Sequence, residues 1–302
     1  MAFNVTNLSD YTQIATELLR EFALYSESMS RFDYMTGVQH KQYLNYMDTN
    51  IVAQAGTCNL NDDGEVKLTE KEVQVFPIAF RSSYCIDDLN KKDLNFNTGT
   101  LNGVMVSDLA TSLVATSADS IKKTTEKLIF AGNTANGDLI NGLTTQLTAD
   151  ADVIDITSVG VTVDNIDNIL TDMALAITEK MWARQEMIYI HLPLEYFNLY
   201  KVNSTNSNMF HNDPKTNTAV LSQGLFGWEG RISIVAEPGL AGTKTIFATI
   251  DSNIVIATDS IFEIESAKIY FDENTDLVKY KSSFKLGVSY KYGDEVIMFI
   301  GA

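Results

Sequence analysis

The chain has 302 residues, with 39 acidic against 22 basic side chains and a formal net charge of −17. A hydrophobic share of 45% excludes a wholly disordered chain, and two cysteines exclude a disulfide scaffold. The acidic balance excludes a sequence-independent nucleic-acid binder, which needs surplus Lys and Arg against phosphates.

The start, Met1-Ala2-Phe3-Asn4-Val5-Thr6, lacks the basic and apolar regions of a signal peptide. No apolar run approaches the ~20 residues of a membrane helix. A cytosolic chain without membrane contact is expected. Ser9 can cap an amphipathic helix reaching Phe32, with Ile14, Leu18, Phe22 and Tyr25 at three- and four-residue steps. Tyr43 to Gln54 reads as a second, shorter helix. From Glu65 to Cys85 the pattern becomes β-like, through Val66, Leu68, Val73, Val75, Ile78 and Phe80. Asn61-Asp62-Asp63-Gly64 is a turn signal before it, and Pro77 points to an edge strand or a bulge.

The longest helical pattern runs from about Gly103 to Phe130, with Leu109, Leu113, Ser117, Ile121, Thr125 and Leu128 in step. Such a helix is about 42 Å long at ~1.5 Å per residue. Gly132-Asn133 stops it, and Asn136-Gly137 and Asn141-Gly142 mark turns. Val153–Val163 is β-like. Asp164 can cap a helix to about Trp182, with Ile166, Ile169, Leu170, Met173, Ile177 and Met181 on one face. Met187–Ile190 is a strand, and Pro193 suits the first position of a helix from Leu194 to Lys201. Asn203–Asn217 is polar and reads as a long exposed loop. Strands follow at Ile232–Val235, Thr245–Ile250, Ile254–Ala257, Phe262–Ile264, Lys268–Phe271, Leu277–Tyr290 and Glu295–Ile300. The class is α+β, with segregated helices and mostly antiparallel strands.

Asn59, Asn61, Asp63 and Glu70 stand at positions 1, 3, 5 and 12 of a calcium-loop-like spacing, with Gly64 at position 6. Lys67 at position 9 and the strand-like segment after it favour a plain β-turn in a hairpin instead. No metal or cofactor is expected. Zinc spacings, a Gly-x-Ser-x-Gly elbow and a phosphate loop are absent, and Cys58 and Cys85 have no obvious His partner. Asp62-Asp63 and Asp87-Asp88 would serve a hydrolase only if the fold brought them into a cleft. No catalytic residue is assigned. Phe22, Tyr25, Phe32, Tyr34, Tyr43 and Tyr46 lie in segments too sparse for a core of their own, so packing across the main domain or a neighbouring subunit is expected.

The order of elements resembles the tailed-phage major capsid protein family, whose fold is shared with encapsulins. Phe76-Pro77-Ile78-Ala79-Phe80-Arg81-Ser82-Ser83-Tyr84-Cys85-Ile86-Asp87-Asp88-Leu89 resembles that family's return strand toward a spine helix. Glu126 to Asn133 followed by Asn141-Gly142-Leu143 resembles its passage from the spine's end. Gly224 to Val235, closing at Glu237-Pro238-Gly239, resembles its leucine–glycine–strand passage. The resemblance implies an N-terminal arm (1–50), an extended hairpin loop (51–90), a peripheral domain with the spine helix (91–140), an axial domain (141–240) and return strands of the peripheral domain (241–302).

It also implies a major capsid protein that assembles into pentamers and hexamers of an icosahedral phage head, enclosing double-stranded DNA without sequence-specific binding. The expected location is the virion, after assembly in the host cytoplasm. The expected partners are further copies of the chain, a portal, and separate scaffold or decoration proteins. With the hairpin expected to begin near residue 51, no built-in scaffolding segment is expected. An encapsulin-type compartment and, further off, a carboxylate-dependent hydrolase are the alternatives. Candidate intersubunit contacts are Phe22, Tyr25, Phe32 and Tyr34 of the arm, and Lys67, Lys71, Val73 and Val75 of the hairpin. The lysines have no identifiable crosslinking Asn and Glu.

Overall fold

Apolar residues alternating with polar ones put much of the chain into strands, and the computed structural model describes residues 30–50, 65–85, 104–206, 222–225, 230–259, 268–272, 275 and 277–302. Strands β1 (Asp33–Met35), β2 (Lys41–Asn50), β3 (Glu65–Gln74) and β4 (Phe76–Cys85) precede helix α1 (Val104–Ala131). Next come α2 (Leu143–Ala149), β5 (Ile154–Ile156), α3 (Ile166–Leu175), α4 (Glu179–Ala183), β6 (Ile188–Leu192) and α5 (Leu194–Asn206). Strands β7 (Ser222–Gly224), β8 (Ile232–Ala236), β9 (Thr245–Ile250), β10 (Ile254–Ala257), β11 (Lys268–Asp272), β12 (Leu277–Tyr290) and β13 (Ile297–Ile300) follow.

The described strands make a six-stranded sheet in the order β5-β13-β9-β6-β8-β7 and a five-stranded one in the order β1-β10-β12-β11, with β4 also on β12. β2 and β3 form a separate two-stranded ribbon. Both large sheets are mixed: β1 runs parallel to β10, β5 to β13 and β6 to β8, and the other pairs are antiparallel. β4 pairs only with β12 among the described residues, which gives Pro77 the edge position its missing N–H requires.

β9 is buried along its whole length because its two faces serve two cores. Ile246, Ala248 and Ile250, with Ile297 and Phe299 of β13, join Ile169, Leu170 and Met173 of α3 and Phe197 and Tyr200 of α5. Phe247 and Met298 belong to the other core, with Leu128, Ile129 and Phe130 of α1, Leu143 and Leu147 of α2, and Ile254, Ile256 and Val288 of the five-stranded sheet. The two-residue period of a strand lets one sheet divide two cores. Each of the Leu, Ile, Phe and Met side chains contributes about 1.5–3 kcal/mol through burial. The chain passes between the sheets through 3₁₀ turns at Asp251–Asn253 and Gly293–Glu295.

Several expectations need correction. Residues 43–50 belong to a strand, not a helix. Tyr43, Tyr46 and Met47 imitate helical spacing, but the β3 partner supplies cross-strand bonds, and Leu44 is buried where Tyr43 and Met47 are exposed. The strand begins at Lys41 and is paired with β3 along all ten residues. The helix expected from Asp164 to Trp182 is broken in two, because the Thr178 hydroxyl caps a new start at Glu179 by accepting from the Met181 amide. Its expected buried face is otherwise intact: Ile166, Ile169, Leu170, Met173, Ile177 and Met181 are all buried. Strand β5 is three residues long, against the eleven suggested by its sequence. Asn203–Asn206 form the last turn of α5 rather than a loop. The helix expected from Ser9 to Phe32, the strand at 262–264 and the rest of the 203–217 stretch lie wholly or mostly outside the described residues.

Candidate functional site

The β2–β3 ribbon holds strict register from Lys41 opposite Gln74 to Asn50 opposite Glu65. Its two faces differ. On one, Leu44 and Val73 are buried with Val38, Val75, Val255 and Ala257. On the other, Met47 and Leu68 are cross-strand partners and stand 62% and 75% exposed, flanked by the exposed Tyr43 and Val66. A lone two-stranded hairpin is marginal in water, and an apolar face left open on one marks a contact surface.

The root of the ribbon is pinned. Lys71 pairs with Asp150, and its ammonium lies 3.8 Å from the centre of the Tyr290 ring. The Tyr290 hydroxyl donates to Asp150 Oδ2 at 2.6 Å. Burial would raise the Asp150 carboxyl, but hydrogen bonds from Lys71 and Tyr290 outweigh it and hold the group below its ordinary value. Gly287 of β12 leaves space for the chain leaving β3: a side-chain carbon there would meet the Gln74 carbonyl oxygen at 2.2 Å.

The segment entering β1 docks through charge. Asp33 pairs with Lys291 beside the β1–β10 ladder. Arg31 pairs with Glu237, which is buried just past β8, and its Nε lies 3.8 Å from Asp251 Oδ2. Between those carboxylates sits His191 of β6, fully buried. Its Nδ1 is 2.9 Å from Glu237 Oε1, and its Nε2 is 3.2 Å from Asp251 Oδ1, an ion-pair contact off the line of the ring N–H. Phe247 stacks on the imidazole at 4.7 Å, and Phe32 and Phe130 complete the aromatic wall. Burial would lower the imidazole's pKa, but Asp251 and Glu237 outweigh it and raise it above the ordinary value. Burial would likewise raise Glu237, yet His191 and Arg31 bring it below the usual carboxylate range. Sequence reading missed this cluster, since its members are scattered from residue 31 to 251 and carry no local motif.

The expected contact residues divide. Phe32, Val73 and Val75 are buried against their own chain, Val73 and Val75 with Leu44, and Phe32 with Phe130. Lys71 is engaged by Asp150. Tyr34 and Lys67 are exposed. Phe22 and Tyr25 lie outside the described residues, as do Asn59, Asn61 and Asp63 of the calcium-loop-like spacing. Glu70 sits within β3, opposite Asn45. Among the described residues no cluster of three His, Cys, Asp or Glu could hold a metal ion, and no helix is long and apolar enough to cross a membrane.

Glycines explain the passage after α1. The Gly142 amide donates to the Gly132 carbonyl at 2.8 Å. A side chain on Gly132 would lie 2.6 Å from the Leu128 and Ile140 carbonyl oxygens, and one on Gly142 would lie 2.6 Å from the Gly132 nitrogen. The chain beyond the helix thus folds back with backbone against backbone, where only glycine fits.

The chain matches no protein-family model and no curated protein. Solved structures match along nearly its whole length. A chain of the satellite phage P4 procapsid that includes size determination (Sid) protein aligns with a TM-score of 0.60 at 11% identity, covering 99% of this chain and 91% of that one. A chain of Gordonia phage Cozz gives 0.58 at 11%, covering 92% and 86%. The virus-like particle of Pyrococcus furiosus gives 0.52 at 10%, covering 98% and 100%.

This is the tailed-phage capsid fold. The long helix α1 and the β2–β3 ribbon are elements of that fold in this chain. The 28 residues of the spine match the expected length, and Ser117, Ile121, Thr125 and Leu128 form its buried stripe.

Proposed function

We propose that the chain is the major capsid protein of a phage, assembling into pentamers and hexamers of an icosahedral head that encloses double-stranded DNA. The observation that carries this reading is the hairpin's open apolar face, set on a capsid fold in which no core cluster of the described residues includes that face. Heterologous contacts of a wedge-shaped subunit close into rings, and a projecting ribbon laid on a neighbour holds them. The domain division that supports it is an arm up to residue 40, a hairpin loop beginning at Lys41, a peripheral domain built on α1 and the five-stranded sheet, and an axial domain built on the six-stranded sheet and α3–α5. The chain acts as a structural protein rather than an enzyme, with portal, scaffold or decoration partners supplied separately. It is assembled in the host cytoplasm and resides in the virion.

The net charge of −17 fits enclosure rather than binding of DNA, with counterions between wall and genome. An encapsulin-type compartment is the second reading, favoured by full coverage of the Pyrococcus furiosus virus-like particle chain. Negative-stain microscopy of the purified chain at rising concentration, alone and co-expressed with neighbouring genes, tests the shell reading. Rings or shells support it, and monomers under every condition overturn it. Packaged nucleic acid in particles from infected cells distinguishes a head from a protein compartment.

A further inference from the structure

We propose that the root of the N-terminal arm is a pH-linked latch, in which Arg31 and the imidazolium of His191 share the carboxylates of Glu237 and Asp251, so that each cation weakens the hold of the other. The geometry carries it. Each ring nitrogen of His191 faces a carboxylate oxygen, at 2.9 and 3.2 Å. A neutral imidazole would leave an unprotonated nitrogen beside one of those anions, whereas the positive charge is attracted to both, the Asp251 contact being one of charge rather than a hydrogen bond. The residue is fully buried, so water cannot compensate either state. With His191 charged, two cations balance two anions, and the second cation is Arg31 of the arm.

Four separate segments meet here: the arm, β6, the chain after β8 and the turn after β9. Among the described residues, other titratable groups on the elements packed around the cluster include Tyr189 on β6, Tyr34 on β1, Glu126 and Lys127 on α1, and the Asp33–Lys291 pair. Tyr189 also lies 5.8 Å under the Arg31 guanidinium. Phe32, the next arm residue, packs edge-on against Phe130 at the end of the spine helix. A change in the hold on Arg31 is therefore felt both by the arm and by the spine.

The sign follows from linkage. Neutralising His191 at high pH leaves Arg31 as the sole cation facing two carboxylates and tightens its grip. Protonating His191, and then Glu237 at still lower pH, loosens it. Acidification thus releases the arm's root from its own subunit in two steps. The inference stands on contacts within one chain, so it does not depend on the shell reading.

Two measurements on the full-length monomeric chain test it. The first follows the ring carbon resonances of ¹³C-labelled histidine through a pH titration, with His191→Gln identifying the signal among the three histidines. Arg31→Gln should raise the pH at which His191 loses its proton by roughly half a unit or more. The second is hydrogen exchange at residues 31–35 in the wild-type chain, corrected for the intrinsic pH dependence of exchange. Protection there should fall as pH drops through the His191 titration. An unchanged His191 titration in a folded Arg31→Gln chain overturns the proposal. If that variant fails to fold, flat protection across the wild-type His191 titration overturns it as well.

Discussion

Asn253 holds both backbone polar groups of Tyr292: the Tyr292 amide donates to Asn253 Oδ1 at 2.9 Å, and Asn253 Nδ2 donates to the Tyr292 carbonyl at 3.0 Å. The same Nδ2 donates to Thr249 Oγ1 at 3.1 Å, and that hydroxyl donates to the Glu295 carbonyl at 3.0 Å. One fully buried amide thereby ties together the two points where the chain passes between the sheets. Asn253→Ala leaves several buried groups without partners and should cost about 2–4 kcal/mol, read as a lower urea midpoint.

The hairpin's open face makes a prediction of opposite kind. Met47→Ser and Leu68→Ser remove exposed apolar area, so the monomer's stability should change by about 0.5 kcal/mol or less. Assembly should fall sharply for the double variant, measured as the fraction of chain in sedimenting particles. Full assembly by the double variant would show that this face makes no essential contact.

Gly239 lies in the 3₁₀ turn that crosses the spine helix, where a side-chain carbon would meet the Glu126 carbonyl oxygen at 2.4 Å and the Phe130 ring at 2.5 Å. Gly239→Ala should destabilise by about 1–3 kcal/mol or leave the chain insoluble. Gly160 has open space around the same position, so Gly160→Ala is the matched control and should be neutral or slightly stabilising in thermal unfolding.

Asp150 links pH to the hairpin's root. Its carboxyl is held below its ordinary value, so its contribution to stability is present above that value and is lost as pH falls through the depressed one. Asp150→Asn keeps the shape but removes that titration. The variant should be less stable at neutral pH, and its unfolding midpoint should fall less steeply than the wild type's as the solution is acidified through the carboxylate range.

Gln185 follows α4 with a φ of +58°, in the left-handed region that side chains disfavour. Gln185→Gly should stabilise the chain by about 0.5–1 kcal/mol, seen as a higher thermal midpoint. No gain would mean that the Gln185 side chain makes a compensating contact.

Local pattern carried much of the fold. The spine's apolar stripe, the β9, β10 and β12 strands and the buried face running from Ile166 to Met181 all follow from spacing alone, because burial on one side repeats at the period of the element. Residues 41–50 misled, since Tyr43, Tyr46 and Met47 fit a helix as well as a strand until β3 is available to pair with them. Phe32, Val73 and Val75 mark a second limit of local pattern. An apolar residue in a sparse segment needs a partner, but whether that partner is its own domain or a neighbour depends on distant strands.

Class, element order and the resemblance to a capsid subunit were thus legible in the amino-acid order, since these rest on periodicity, glycine positions and the succession of segments. Tertiary structure alone decided which hairpin face stays open, which glycines mark touching backbones, and that Arg31, His191, Glu237 and Asp251 form one charged cluster. Those relations join residues that the fold brings together across most of the chain. No local rule of spacing reaches that far, because the contacts are set by which sheets pack and how the chain passes between them.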